Sequence, residues 1–121
     1  ISGKKIPFIN ENSNMKKALN LITQKKLGIL IAINNKKLTT GIITDGQIRR
    51  SSQKNESLMK LSVKKIMTKN PISIDKNTLA VKGLSIMSDK KITSLCVHKD
   101  NKRTKTIGVL HIHNILDGNI S

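Results

Sequence analysis

The apolar positions along this chain change period several times, and each change marks an element. Ile6-Pro7-Phe8-Ile9 is a short apolar piece. Met15, Ala18, Leu19 and Ile22 then recur at i, i+3, i+4 and i+7, the spacing of one helix face, with Ser13 as the expected N-cap. Ile29-Leu30-Ile31-Ala32-Ile33 is a continuous apolar run and predicts a strand buried on both faces. Asn34 to Lys37 reads as a tight turn, with Asn supplying positive φ, and Leu38 to Thr44 as the return strand. A second helix is expected from Gly46 to about Ser52.

The same grammar recurs. At a shift of 65, Ile9 meets Ile74, Asn12 meets Asn77, Leu19 meets Leu84, Lys25-Lys26 meets Lys90-Lys91, and Leu30 meets Leu95. After a turn two residues longer, Gly41-Ile42-Ile43 meets Gly108-Val109-Leu110 at a shift of 67. The second copy therefore predicts a helix capped by Thr78 with Ala80, Gly83, Leu84 and Met87 on one face. Strands from Ser94 to His98 and Thr106 to His111 follow, then a helix from Ile112 to about Asp117. Gly83 in a helix interior costs ~1 kcal/mol against Ala, which points to close packing on a flat surface. Ser51 to Leu61 is a polar link, and Ser62 to Met67 is short enough for one helical turn. The expected fold is α+β, two β-α-β-β-α repeats, residues 1–58 and 59–121, packed as one domain.

At 121 residues the chain is long enough for a core without staples. No apolar run approaches the ~20 residues of a membrane span, which excludes that class. The first residue is Ile1, not Met, and suggests a piece of a longer protein. The single cysteine fits a reducing, cytoplasmic compartment, and Cys96 within Leu95-Cys96-Val97 reads as a small buried hydrophobe. The net charge of +16 invites a nucleic-acid reading. The basic residues, however, are scattered lysine pairs over both halves, and Phe8 alone supplies no aromatic stacking platform. The charge reads as a solvated coat that attracts anionic small molecules, phosphates included.

Candidate chemistry concentrates where strands give way to helices. Thr44-Asp45-Gly46-Gln47 places a hydroxyl and free backbone N–H groups at a helix start, a cradle for an anion. Arg49 and Arg50 can add guanidinium contacts to phosphate. His111 and His113 are two apart, but no third-ligand pattern of Cys, Asp or Glu accompanies them, so the metal signal is weak. No nucleophile–base order, Walker loop or dinucleotide glycine pattern is present, and no catalytic residue is assigned.

Val63-Lys-Lys-Ile-Met-Thr-Lys-Asn-Pro71 resembles the I-M-T-x-x-P opening of a CBS repeat. Both units follow the CBS pattern through to the Gly-apolar-apolar-Ser/Thr-x-x-Asp segment before the last helix, so essentially the whole chain resembles a tandem CBS pair, or Bateman module. Gly41-Ile-Ile-Thr-Asp-Gly-Gln-Ile-Arg-Arg50, Ile92-Thr-Ser-Leu-Cys-Val97 and Gly108-Val-Leu-His-Ile-His-Asn-Ile-Leu116 resemble segments of the D-arabinose 5-phosphate isomerase family. In that family a sugar-isomerase domain precedes the CBS pair, and the stop at Ser121 suits a C-terminal module.

The resemblance implies a regulatory, ligand-sensing or oligomerising module of an isomerase serving Kdo and lipopolysaccharide biosynthesis, with no catalysis in this chain. It implies an anionic small-molecule effector, a nucleotide or CMP-Kdo, bound by Thr44, Asp45, Gly46, Gln47 and Arg50 in one repeat and by His111, His113 and Asn114 in the other. It also implies self-association. The ribose-binding Asp of many CBS repeats falls at Gln47 and Asn114. An amide has one acceptor oxygen where a carboxylate accepts two hydroxyls, so weak affinity, another ligand and loss of sensing all stay open. Two other readings are a CBS pair regulating a sugar nucleotidyltransferase and a basic nucleic-acid-binding module.

Overall fold

The computed structural model describes residues 6–25, 28–54 and 57–112. By packing, Pro7–Pro71 forms one compact unit, and the described residues from Ile72 onward belong to a second. The boundary expected from the sequence is 58/59; by packing the first unit runs to Pro71, with Val63 and Met67 buried in its core.

In the first unit β1 (Phe8–Asn10) leads into α1 (Met15–Lys25), β2 (Ile29–Ile33), β3 (Thr39–Thr44) and α2 (Asp45–Lys54). A 3-10 turn (Leu58–Lys60), the one-turn helix α3 (Val63–Ile66) and β4 (Thr68–Lys69) complete it. The sheet order is β1-β2-β3-β4. β1 runs parallel to β2, with Phe8 opposite Ile31; β3 runs antiparallel, with Ile29 opposite Thr44. As its unbroken apolar run predicts, β2 is buried from Ile29 to Ala32.

The face of α1 formed by Met15, Ala18 and Ile22 packs with Ile9, Leu30, Ala32, Ile43 and Ile48. Burying Met15 and Ile22 contributes roughly 1.5–3 kcal/mol each. Segment 61–64 seals the entry to α1: the Met15 N–H donates to Leu61 O at 2.8 Å and the Val63 N–H to Ser13 O at 2.7 Å. Gly41 makes room for Met67 and Thr68, just beyond α3. A Cβ there would lie 2.7 Å from Met67 Cγ and 2.8 Å from the Thr68 carbonyl oxygen.

The second unit repeats the plan with β5 (Ser73–Asp75), α4 (Ala80–Lys90), β6 (Ser94–His98) and β7 (Gly108–His111), in sheet order β5-β6-β7. The helix expected from Ile112 to Asp117 lies outside the described residues beyond Ile112. The backbone reproduces the repeat bond for bond. Ile31 N–H donates to Pro7 O at 2.9 Å, and Cys96 N–H to Ile72 O at 3.1 Å. Glu11 N–H donates to Ile33 O, and Lys76 N–H to His98 O, both at 2.8 Å. After the turn, the pairing of Ile29 with Thr44 becomes that of Ser94 with His111, the shift of 67 read in the sequence. Gly83 has the expected packing reason. Its Cβ would lie 2.9 Å from Leu110 Cδ2, 3.6 Å from Ile74 Cδ1 and 3.8 Å from Leu95 Cδ1, one residue from each strand of the sheet.

Three local expectations are corrected. The α1 cap is Asn14, not Ser13: Asn14 Oδ1 accepts the Lys17 N–H at 2.9 Å, while the Ser13 N–H is engaged by Asn10 O. In the second unit Thr78 does not cap α4. Its N–H closes a turn onto Asp75 O, and the N-cap is Leu79, without a capping side-chain bond. In the β2–β3 turn positive φ falls on Lys37, at 62°, rather than on an Asn. Asn34 Oδ1 instead accepts from Lys36 and Leu38 N–H, building the turn with its side chain.

Gly41→Ala is expected to lower unfolding free energy by ~1–3 kcal/mol, because the methyl meets a backbone carbonyl that cannot rotate away. Gly83→Ala should cost less, since its methyl meets the movable end of Leu110 and the helix gains propensity. Urea denaturation of the two variants checks this, and a loss at Gly83 equal to or above that at Gly41 contradicts it.

Candidate functional site

β3 ends at Thr44, and α2 begins at the next residue. The register of β3 on β2 therefore decides where the helix starts. Thr44 is the N-cap: its Oγ1 accepts the Gln47 N–H at 3.2 Å. The Asp45 N–H donates to Gly28 O at 3.1 Å, and a Cβ on Gly28, at φ 72°, would lie 3.3 Å from Asp45 Oδ2. Gly28 is thus held both by its backbone angle and by the approach of Asp45.

One turn on, Arg50 folds back over the helix start. Its Nη1 lies 3.3 Å from where a Gly46 Cβ would stand. The structure therefore brings Thr44, Gly46, Gln47 and Arg50 together on the first turn of α2. Asp45 and Arg50 are both exposed, and Thr44, Gly46 and Gln47 half-buried. Chemically the turn offers a hydroxyl, the positive end of a helix and a guanidinium, a set suited to an anionic oxygen-rich group, although the Asp45 and Gln47 N–H groups are already engaged by Gly28 O and Thr44 Oγ1. Asp45 adds a carboxylate to the same turn, so the net field there depends on Arg50.

Gln47 departs from expectation in detail. Its Nε2 donates to the Ile66 carbonyl oxygen at the end of α3. Its Oε1 is buried without a hydrogen-bond partner. The contact to Ile66 crosses 19 residues, and neither sequence periodicity nor the local motif points to it. The Thr44-x-x-Gln47 spacing is that of a capping box, which is the one sequence signal that this side chain would bond to backbone.

In the second unit His111 closes β7, opposite Ser94 and half-buried. His113 and Asn114 lie outside the described residues, so the second half of the expected site is not traced further. A polar pair that the sequence did not announce lies on the neighbouring strands: Ser73 Oγ and the Nδ1 of buried His98 are 2.6 Å apart. Cys96, in the same strand as His98, is buried. Burial pushes its thiol up to about 11, against a smaller lowering by a hydrogen bond with Thr106. It is a core residue, as read from its apolar neighbours, and not a thiolate nucleophile.

The CBS domain model matches residues 1–54 and again residues 63–119. The chain belongs to the CBS domain family. Similar curated proteins include the arabinose 5-phosphate isomerase KdsD of Salmonella typhi, 32% identical over 115 residues and 95% of this chain. The KdsD of Escherichia coli K12 is 31% identical over the same share. The chain covers 34% of the length of each, about a third of those relatives. Among solved structures, a CBS-domain protein of Agrobacterium tumefaciens superposes with a TM-score of 0.84 at 17% identity, covering 95% of this chain and 84% of that one. CBSX2 in complex with AMP gives 0.82 at 20% identity, covering 98% and 90%. A CBS-domain protein of Pyrobaculum aerophilum complexed with AMP gives 0.81 at 15%, covering 93% and 84%. At these identities the structural likeness establishes the fold of the CBS pair.

The raised thiol makes a pH prediction. Below the unfolded-state value near 9 the thiol is protonated in both states, and stability is unaffected. Between about 9 and 11 only the unfolded chain ionises, so stability falls as pH rises, by on the order of 2–3 kcal/mol in total. Denaturant melts of the wild type and Cys96→Ala from pH 8 to 11 check this. The variant should lack that part of the slope, and parallel curves contradict the assignment.

Proposed function

We propose that this CBS pair is the regulatory, ligand-sensing module of an arabinose 5-phosphate isomerase in Kdo and lipopolysaccharide biosynthesis, acting in the cytoplasm. The observation that carries the reading is the 31–32% identity to KdsD along 95% of the chain. The Thr44-Asp45-Gly46-Gln47-Ile48-Arg49-Arg50 segment, which resembles one of that family, supports it, since the start of α2 gathers the Thr44 hydroxyl and the Arg50 guanidinium. The effector class is an anionic nucleotide or nucleotide sugar, with CMP-Kdo as the pathway product to test. Two solved relatives of the same fold hold AMP, which supports a nucleotide.

The mechanism is a population shift: an effector that prefers one arrangement of the pair biases the attached enzyme by its difference in affinity. Catalysis belongs to the parent enzyme outside this chain. Self-association is part of the proposal, and the first turn of α4 supports it, since Leu79 and Val81 are 76% and 78% exposed. No helix among the described residues is long and apolar enough to cross a membrane.

The test is thermal stability of the chain against AMP, ADP, ATP, CMP, CMP-Kdo and arabinose 5-phosphate. A ligand that binds only the folded state adds about 2.7 kcal/mol at a hundredfold excess over Kd. A shift with CMP-Kdo or an adenine nucleotide, reduced in Arg50→Ala, is the expected result. No shift with any of the six contradicts the sensor reading and leaves a structural or oligomerising role.

A further inference from the structure

Lysine pairs that lie scattered along the sequence are gathered by the fold of the first unit. β2 ends at Ile33, whose carbonyl oxygen accepts the Glu11 N–H at 2.8 Å. The Glu11 carbonyl in turn accepts the Lys64 N–H at 2.8 Å, and Ser13 O accepts the Val63 N–H at 2.7 Å. These backbone bonds bring three segments to one end of the sheet: the β2–β3 turn, the start of α1 and the start of α3. Each carries an exposed pair, Lys36-Lys37, Lys16-Lys17 and Lys64-Lys65. Thr44 and Asp45 lie at the other end of the hairpin, where β2 begins and β3 finishes. The length of β2, ~13 Å, separates the two ends.

Glu11 is the one acid at this end among the first unit's described residues, and it is half-buried. Neither α1 nor α3 has an acid in its first turn. Lys16 and Lys17 instead stand at the positive end of α1, where the helix field opposes a cation. At the shift of 65 Lys16 becomes Val81, so the second unit does not repeat that pair. The first unit thus collects like charge where local physics disfavours it. Such a departure points to a partner that supplies the opposite charge.

The six charges are all ammonium groups. None is the planar guanidinium that suits bidentate phosphate recognition, and no aromatic residue belongs to these segments to stack on a base. Beside them stands Met59, 48% exposed. It lies two residues before Leu61, whose carbonyl accepts the Met15 N–H at 2.8 Å. An exposed thioether among lysines suits a surface that is anionic outside and apolar just beneath. We propose that this end of the first unit docks on an anionic lipid bilayer, with the lysines against headgroup phosphates and Met59 entering the interface. The docking is peripheral, involves neither the Thr44–Arg50 turn nor its ligand, and does not depend on the sensor reading.

Co-sedimentation of this chain with lipid vesicles tests the docking face. At ~50 mM salt the chain should bind phosphatidylcholine vesicles that contain roughly 30% phosphatidylglycerol, should ignore vesicles of pure phosphatidylcholine, and should be released near ~500 mM salt. A lysine near an anionic surface contributes about fivefold in affinity, so Lys16→Gln/Lys17→Gln and Lys64→Gln/Lys65→Gln should each weaken binding about tenfold or more. Lys90→Gln/Lys91→Gln removes the same charge around the C-terminus of α4 and should change binding less than about threefold. Met59→Gln should weaken binding about threefold or more, with an unchanged dependence on salt. Thermal melts matching the wild type show that each variant is folded. Equal losses in the three lysine variants would assign the attraction to the whole charge coat and overturn the docking face. No binding to the anionic vesicles, equal binding to neutral ones, or an unaffected Met59→Gln also overturns it. Duplex RNA that strips the protein from the vesicles at equal phosphate concentration would make the surface a nucleic-acid one, against the proposal.

Discussion

The central strand of each unit, paired parallel on one side and antiparallel on the other, is the constraint from which the rest follows. β2 is buried from Ile29 to Ala32, while β1 and β3 alternate buried with exposed or half-buried positions, so a one-residue slip of either against β2 would turn its buried residues outward. That fixes the register of β1 and β3 upon it. With Ile29 opposite Thr44, β3 must end where β2 begins, and α2 must start there with Thr44 as its cap. The candidate site's residues are thus placed by sheet register rather than by a loop. The second unit obeys the same rule through Ser94 and His111.

Close approach is the second layer of the design. Gly41 admits Met67 and the Thr68 carbonyl against the sheet, and Gly83 lets α4 lie on Ile74, Leu95 and Leu110. Gly46 performs the corresponding service at the site, where Arg50 closes over the helix start. Gly41 and Gly83 exchange local propensity for a contact between elements distant in sequence, whereas Gly46 leaves room for Arg50 within its own helix. In the first unit this brings α2 beside α3, and the Gln47–Ile66 bond joins them.

The fold was legible because its signals are periodic and repeated. The shift of 65, then 67, read from Ile9, Leu30 and Gly41, reappears as matched hydrogen bonds at Ile31 and Cys96 and as matched strand registers. Caps and turn angles were less legible. Ser13 and its neighbour Asn14 are both of cap-forming type, and it is Asn14 whose side chain serves. Positive φ fell on Lys37, while Asn34 shapes the turn through its side-chain oxygen. At the site, sequence placed Thr44, Gly46 and Arg50 on one turn, since they are local. It could not place the Ile66 carbonyl against Gln47, because that contact depends on tertiary packing. The Ser73–His98 pair was missed for the same reason.

The proposed sensor role makes its strongest claim on the proposed parent enzyme. The most direct measurement is arabinose 5-phosphate isomerase activity of the full-length parent protein, titrated with CMP-Kdo and AMP, in the wild type and in Arg50→Ala. The account predicts isomerase activity that responds to one of these effectors, with the response displaced to higher concentration in Arg50→Ala and the effector-free rate unchanged. A parent without isomerase activity, or one whose activity ignores both effectors, would contradict it.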